Sequence, residues 1–162
     1  MKLQDITLIL TGITTALMAG LFFSYSVSVN LGLGKLGDRE YLQAMQSINR
    51  EILNPIFFAC FFGALIMLPI ATFQQYHNNQ TTFLLLLAAS LFYIAGVFGI
   101  TSIFNVPLNN KLDLLDLSNS TQNSIRQIRD SFEASWNFWN TVRTFSAAIS
   151  ITLVIIACIY RK

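Results

Sequence analysis

The chain has 162 residues, of which 54% are hydrophobic and 11% charged, with a formal net charge of +2. Soluble domains carry about 25% charged residues, so the polar cover of a water-facing surface is missing. That excludes a free soluble enzyme and a disordered chain, and the few scattered cations exclude a nucleic-acid footprint.

The charge map sets the architecture. No Asp, Glu, Lys or Arg occurs from Ile6 to Gly34, from Ile52 to Asn110, or from Thr144 to Tyr160. About 20 apolar residues cross the bilayer hydrocarbon as a helix. The middle run is long enough for two crossings, with the polar Gln74–Gln80 stretch as their turn. The expected fold is therefore all-α: an integral membrane four-helix bundle forming a single membrane domain over residues 1–162. Its spans lie at about 5–30, 55–75, 82–104 and 136–160. The first apolar stretch exceeds the ~7–15 residues of a signal-peptide core and lacks a clean cleavage site, so it reads as a retained helix.

Four crossings return the chain to its starting side, here side A. The 74–81 turn shares it, and the connections at 31–54 and 105–135 share side B. Cys60 and Cys158 then fall near opposite membrane faces, which argues against a disulfide.

In span one, Gly12, Ala16, Gly20, Ser24 and Ser28 recur every fourth residue. Such a stripe lets a neighbouring helix approach closely. It reads as a packing face within the bundle, with a homodimer interface as the rival. After Gly32, Gly34 and Gly37, Asp38 is placed to cap a helix with Tyr41 at its third position. Tyr41, Met45, Ile48 and Ile52 share one face, predicting an amphipathic helix at the interface or over the bundle mouth. Asn54-Pro55 supplies a cap and a first-turn proline for span two.

Gly96 and Gly99 mark close packing in span three. Pro107 disfavours a helical Val106, so the helix is expected to break there. The polar 118–135 stretch carries Ile125, Ile128 and Phe132 at helical spacing, a short helix running into span four. Trp136 and Trp139 suit the water-lipid boundary.

Arg143 is the residue that demands an explanation, because it lies inside span four. An intramembrane ionisable group normally faces the bundle interior or a wet cavity. Trp136, Asn140 and Arg143 are spaced i, i+4, i+7 and share a face. Tyr25, Gln46, Asn49, Asn105 and Asn109 reach the same depth from the other segments. The expectation is one polar, funnel-like pocket on side B, under the amphipathic cap. Structural amides satisfying broken helix ends are the alternative reading. The single histidine, His77, lies on side A. No His/Cys/acid set has metal-ligand spacing, and no nucleophile-base pair is visible.

Three strings carry a family likeness: Met45–Pro55, Phe104–Asn110 and Trp136–Thr144. Together they resemble the small four-span membrane proteins of the anthrone-oxygenase-like family. The resemblance implies oxidation of a small hydrophobic aromatic by molecular oxygen, without metal or organic cofactor. It maps Asn105, Asn109, Trp139, Asn140 and Arg143 onto the family's motif positions. In that role Arg143, Asn140 and Asn105 would hold the substrate anion. Tyr25, Gln46, Asn49, Asn109, Trp136 and Trp139 would line its site. One departure stands out: many relatives have histidine where this chain has Thr141. The rival reading is a non-catalytic binder of a lipid or quinone-like ligand, or a helper subunit. The expected setting is the plasma (inner) membrane, multi-pass, with cytoplasmic termini. Membrane lipid and a small aromatic ligand are the expected partners.

Overall fold

The computed structural model describes residues 2–161, and they form helices without a strand. Four helices are long and apolar enough to cross a membrane: α1 (Leu3–Leu33), α3 (Pro55–Gln75), α4 (Gln80–Asp113) and α5 (Gln122–Tyr160). Their most apolar windows have mean hydropathies of 2.0 to 2.4. Only about a third of each window is buried, so the remaining apolar surface is matched to lipid rather than water. Residues such as Ile66, Phe73 and Ile155 face outward. The protein is a multi-pass membrane protein.

The helices form a ring in which α1 packs on α3 and α5, and α4 packs on α3 and α5. The interior is apolar, with Met18, Phe22, Leu68, Leu86, Tyr93, Val97 and Val154 at its heart. Hydroxyls satisfied across or along helices are interleaved with it. Thr72 and Ser90 meet at 3.0 Å, Tyr93 donates to the Phe61 carbonyl and Ser150 to the Ala89 carbonyl. Without water in the hydrocarbon such groups need protein partners.

Asn54 caps α3, its Oδ1 accepting from the Phe57 amide at 3.0 Å, with Pro55 in the first turn. Asn79 caps α4 in the same way through Thr82. The amphipathic helix α2 (Asp38–Glu51) lies across side B. Gly37 takes the cap position and Asp38 is the first helical residue, one position from the sequence expectation. Tyr41, Leu42 and Met45 are buried against Leu112, Leu117, Ile125, Phe132 and Trp136, a second small core outside the bundle proper. Arg129 ties it together. Its guanidinium bonds Asp38 at 2.9 Å, Glu133 at 2.8 Å and the carbonyls of Gly34 and Leu36, and lies over the Tyr41 ring.

Three expectations are corrected. The helix does not break at Pro107. It runs through Asn105 and Val106 with helical dihedrals, because the backbone widens into π-helical turns at Phe92–Gly99 and Thr101–Asn105. A widened turn accommodates the missing N–H and the ring that an ordinary helix could not. Second, the small-residue stripe of α1 does not pack the bundle. Ideal Cβ atoms at Gly12 and Gly20 meet nothing within 4 Å, and Ala16, Ser24 and Ser28 are exposed. The packing face is instead Thr7, Thr11, Thr15, Met18 and Phe22. Third, Gly96 is a close approach, since a Cβ there would overlap Ser146 of α5, but Gly99 meets only its own helix.

Both cysteines are free.

Candidate functional site

The long α5 carries the site's axis. Trp136, Asn140 and Arg143 are all buried on one face of it. Arg143 is 6% exposed. Its Nη2 donates to Asn140 Oδ1 at 3.0 Å and its Nη1 reaches Thr101 Oγ1 at 3.5 Å, while Nε has no partner. The guanidinium carbon sits 4.5 Å from the Phe22 ring centroid and 5.3 Å from that of Trp136. No carboxylate pairs with it among the described residues. Two aromatic faces and two neutral oxygens thus hold a buried positive charge. Cation–π contacts are worth about 2 kcal/mol or more each when desolvated, which offsets part of the several kcal/mol that burial costs.

The helix α1 meets this face through a π-helical turn at Tyr25–Val29. Just before it, the Phe22 carbonyl accepts from Asn140 Nδ2 at 3.3 Å and Thr144 Oγ1 at 3.0 Å. Ser26 Oγ lies 2.9 Å from both Asn140 Nδ2 and Thr144 Oγ1. Asn140 is therefore fully engaged: its amide locks α1 to α5, and its oxygen orients Arg143. Its nitrogen and oxygen are thus bonded within the chain, although Asn140 lines the cavity.

The widened part of α4 presents Thr101, Asn105 and Asn109 at successive turns. Asn105 is 1% exposed, and neither its Oδ1 nor its Nδ2 has a partner. Buried side-chain amides are nearly always bonded. Asn109 Oδ1 accepts from Trp136 Nε1 at 2.9 Å, fixing the indole as a wall, and the Tyr25 ring packs against it with centroids 5.4 Å apart. Asn49 of α2 adds another unpartnered amide nitrogen.

These residues enclose a cavity of about 80 Å³, finished by Leu21, Ile52, Leu53, Phe57 and Val106. A second hollow of about 110 Å³ adjoins it, sharing Asn49, Leu53, Val106 and Asn109. It opens past the Arg50–Asp113 ion pair of 2.6 Å.

Of the nine residues singled out in the sequence, seven line the inner cavity: Tyr25, Asn49, Asn105, Asn109, Trp136, Asn140 and Arg143. Two do not. Trp139 stacks on Phe104 at 3.7 Å, half-buried on another face of α5. Gln46 donates to the carbonyls of Leu112 and Leu115, a strut between α2 and the end of α4. Trp136 is also no boundary marker, being buried at the cavity. Sequence reasoning missed Phe22, Ser26 and Thr101. An aromatic or hydroxyl residue in an apolar run carries no signal until the helix register is known, and π-helical turns shift that register.

Thr141 is exposed, and its hydroxyl bonds the Asn137 carbonyl of its own helix. It does not line the cavity. No group of three or more His, Cys, Asp or Glu is placed to hold a metal ion among the described residues. His77 packs against Tyr76 in the turn at the far end of the bundle.

No curated protein and no solved structure matches the chain. A family model described as anthrone oxygenase matches residues 55–153, from the start of α3 to the last third of α5. It covers the segments that carry Asn105, Asn109, Trp136, Asn140 and Arg143. The chain thus belongs to the anthrone oxygenase family.

Proposed function

We propose that the protein is a membrane oxidoreductase that uses molecular oxygen to oxidise a small hydrophobic aromatic of the anthrone type. The observation that carries this reading is a buried arginine without a carboxylate, beside an asparagine with both side-chain atoms unpartnered. An anthrone loses a ring-CH₂ proton to give a flat, phenolate-like anion. Arg143 and Asn105 Nδ2 are the groups to hold the anionic oxygen, in a site where preorganised charge acts strongly. Phe22, Tyr25 and Trp136 give the flat walls a ring system prefers. The anion passes one electron to oxygen, and the two radicals join as a hydroperoxide. Loss of water then leaves a ketone. The CH₂ carbon gains one oxygen atom, and the other leaves as water with both hydrogens. Stabilising the anion lowers the demand on a base, and the proton released to solvent is taken up again by the peroxide oxygen before water is lost. A histidine at position 141 would project away from this cavity, so Thr141 does not count against the reading.

The inner cavity is smaller than the roughly 300–1,000 Å³ of pockets for drug-sized ligands. The adjoining hollow shares Asn49, Leu53, Val106 and Asn109 with it, and a tricyclic substrate would have to occupy both and displace lining side chains as it enters. The side-B cap, read as a folded outer face, supports cytoplasmic termini, although the count of Lys and Arg, six on side B against three on side A, favours the opposite orientation.

The test is oxygen uptake by purified protein with emodin anthrone. Turnover above the spontaneous rate is expected, with Arg143→Ala losing it while the fold is kept. No turnover across several such aromatics sinks the reading.

A second reading has its own support. Tyr25 is the only lining side chain besides Arg143 that titrates, and an unperturbed tyrosine has a pKa near 10. A site without a base at neutral pH suits a non-catalytic binder of a lipid or quinone-like ligand. Such a ligand would co-purify and be lost in Arg143→Ala, with no oxygen uptake in either protein.

A further inference from the structure

A larger hollow than the one at Arg143 lies at the opposite end, between the start of α1, the 76–79 turn and the end of α5, with a volume of about 810 Å³. Lys2 and Arg161 stand at its rim. Asp5 binds Arg161 Nη2 at 2.7 Å and the Lys2 backbone amide, so the guanidinium is held in place at the mouth. Leu8, Ile9, Gly12 and Ile13 form its floor, descending along α1 into the apolar depth.

Two features point to an occupant. The first is Gln75, which is 4% exposed yet lines the hollow. Its neighbours use their amides within the chain: Gln74 on Thr7, Asn78 on the Gln74 carbonyl, Asn79 on the Tyr160 carbonyl. The carboxamide of Gln75 makes no such bond among the described residues. The second is the small-residue stripe. Gly12 lies in the hollow, and the stripe continues outward-facing through Ala16 and Gly20 with no side chain over the glycines. It forms a shallow trough leading from the charged rim along the membrane-facing side of α1.

We propose that this hollow binds one anionic glycerophospholipid. The phosphate lies between Lys2 and Arg161, an ester carbonyl accepts from Gln75, and one acyl chain follows the trough past Gly12. Basic pockets between transmembrane helices suit anionic headgroups, each cation near the surface contributing about 1 kcal/mol, or about fivefold. The charge pattern favours lipid over a second copy of the chain, because the copy would bring its own Lys2 and Arg161 to a like-charged rim.

The experiment is native mass spectrometry of the full chain in mild detergent with added phosphatidylglycerol or phosphatidylcholine. One phosphatidylglycerol per chain should persist, and phosphatidylcholine should be held at least tenfold less. Lys2→Gln with Arg161→Gln should lower retention roughly 25-fold, by two such cation contributions. Gln75→Leu and Gly12→Leu, which keep every charge, should each lower it several-fold; a Cβ at Gly12 meets no atom within 4 Å, so Gly12→Leu should not lower the melting temperature. Glycerol 3-phosphate should not displace the lipid. Equal retention of both lipids, indifference to all the variants, displacement by glycerol 3-phosphate, or a dimer mass that Gly12→Leu dissolves would each overturn the proposal.

Discussion

Two arginines on α5 answer the same problem in opposite ways. Arg129 stands in the side-B cap with two carboxylates, two carbonyls and a tyrosine ring around it. Arg143, about four turns further into the bundle, has no carboxylate, one firm hydrogen bond and an unpartnered Nε. The first cation is consumed by the fold, joining the exit of α1, α2 and α5. The second is held by aromatic faces that leave its charge unneutralised. Arg129, its charge met by two carboxylates and two carbonyls, is architecture. On the proposed function, the unpaired charge of Arg143 is there for an anion that arrives from outside.

The contrast can be broken by mutation. Arg129→Ala should be the most disruptive change. It leaves Asp38 and Glu133 without their partner, a loss of about 2–3 kcal/mol, below that of a fully buried pair because both carboxylates are about a quarter exposed. Thermal melts should show it, with oxygen uptake falling only in proportion to unfolded protein. Arg143→Leu should do the reverse. Replacing an unpaired buried charge with a hydrophobe is close to neutral for stability, while uptake with emodin anthrone should fall by about 10²–10³, the usual loss for one anion-stabilising donor. Asn105→Leu sharpens the point. It removes two unsatisfied buried atoms, so the melting temperature should rise, by about 1–3 kcal/mol of stability, as activity drops. A fall in both would mean that Asn105 serves the fold. The smallest effect on activity is expected at the α4–α5 contact. Gly96→Ala should cost about 1–3 kcal/mol through overlap with Ser146, with the site chemistry unchanged.

Much of the fold was legible because a bilayer imposes a coarse rule. Long stretches free of charge must cross it, and Glu51 and Lys111 bracket two crossings as clearly as any motif. Tyr41 and Met45 announced α2 by their spacing. Arg143 was legible for the same reason, as a charge where none is tolerated without purpose. What the sequence hid was register. Pro107 looked like a terminator, but the widening at Thr101–Asn105 lets the helix pass through it and aims Asn105 and Asn109 inward. The π-helical turn at Tyr25–Val29 similarly makes Ser26, not Ser24 or Ser28, the hydroxyl that meets Asn140. The glycines of α1 signalled a packing face, and composition alone could not say that this face is turned outside the bundle. Trp139 and Gln46 sat near the right depth on the wrong faces.

On the proposed function, Arg143 stabilises an anion in the hollow that it lines. That central claim is tested most directly by the ionisation of a bound phenol, using emodin as the probe and its visible spectrum as the readout. Wild-type protein should lower the probe's apparent pKa by at least one unit, about 1.4 kcal/mol of preference for the anion, and Arg143→Leu should remove that shift. A bound probe that ionises at the same pH in both proteins would contradict the account.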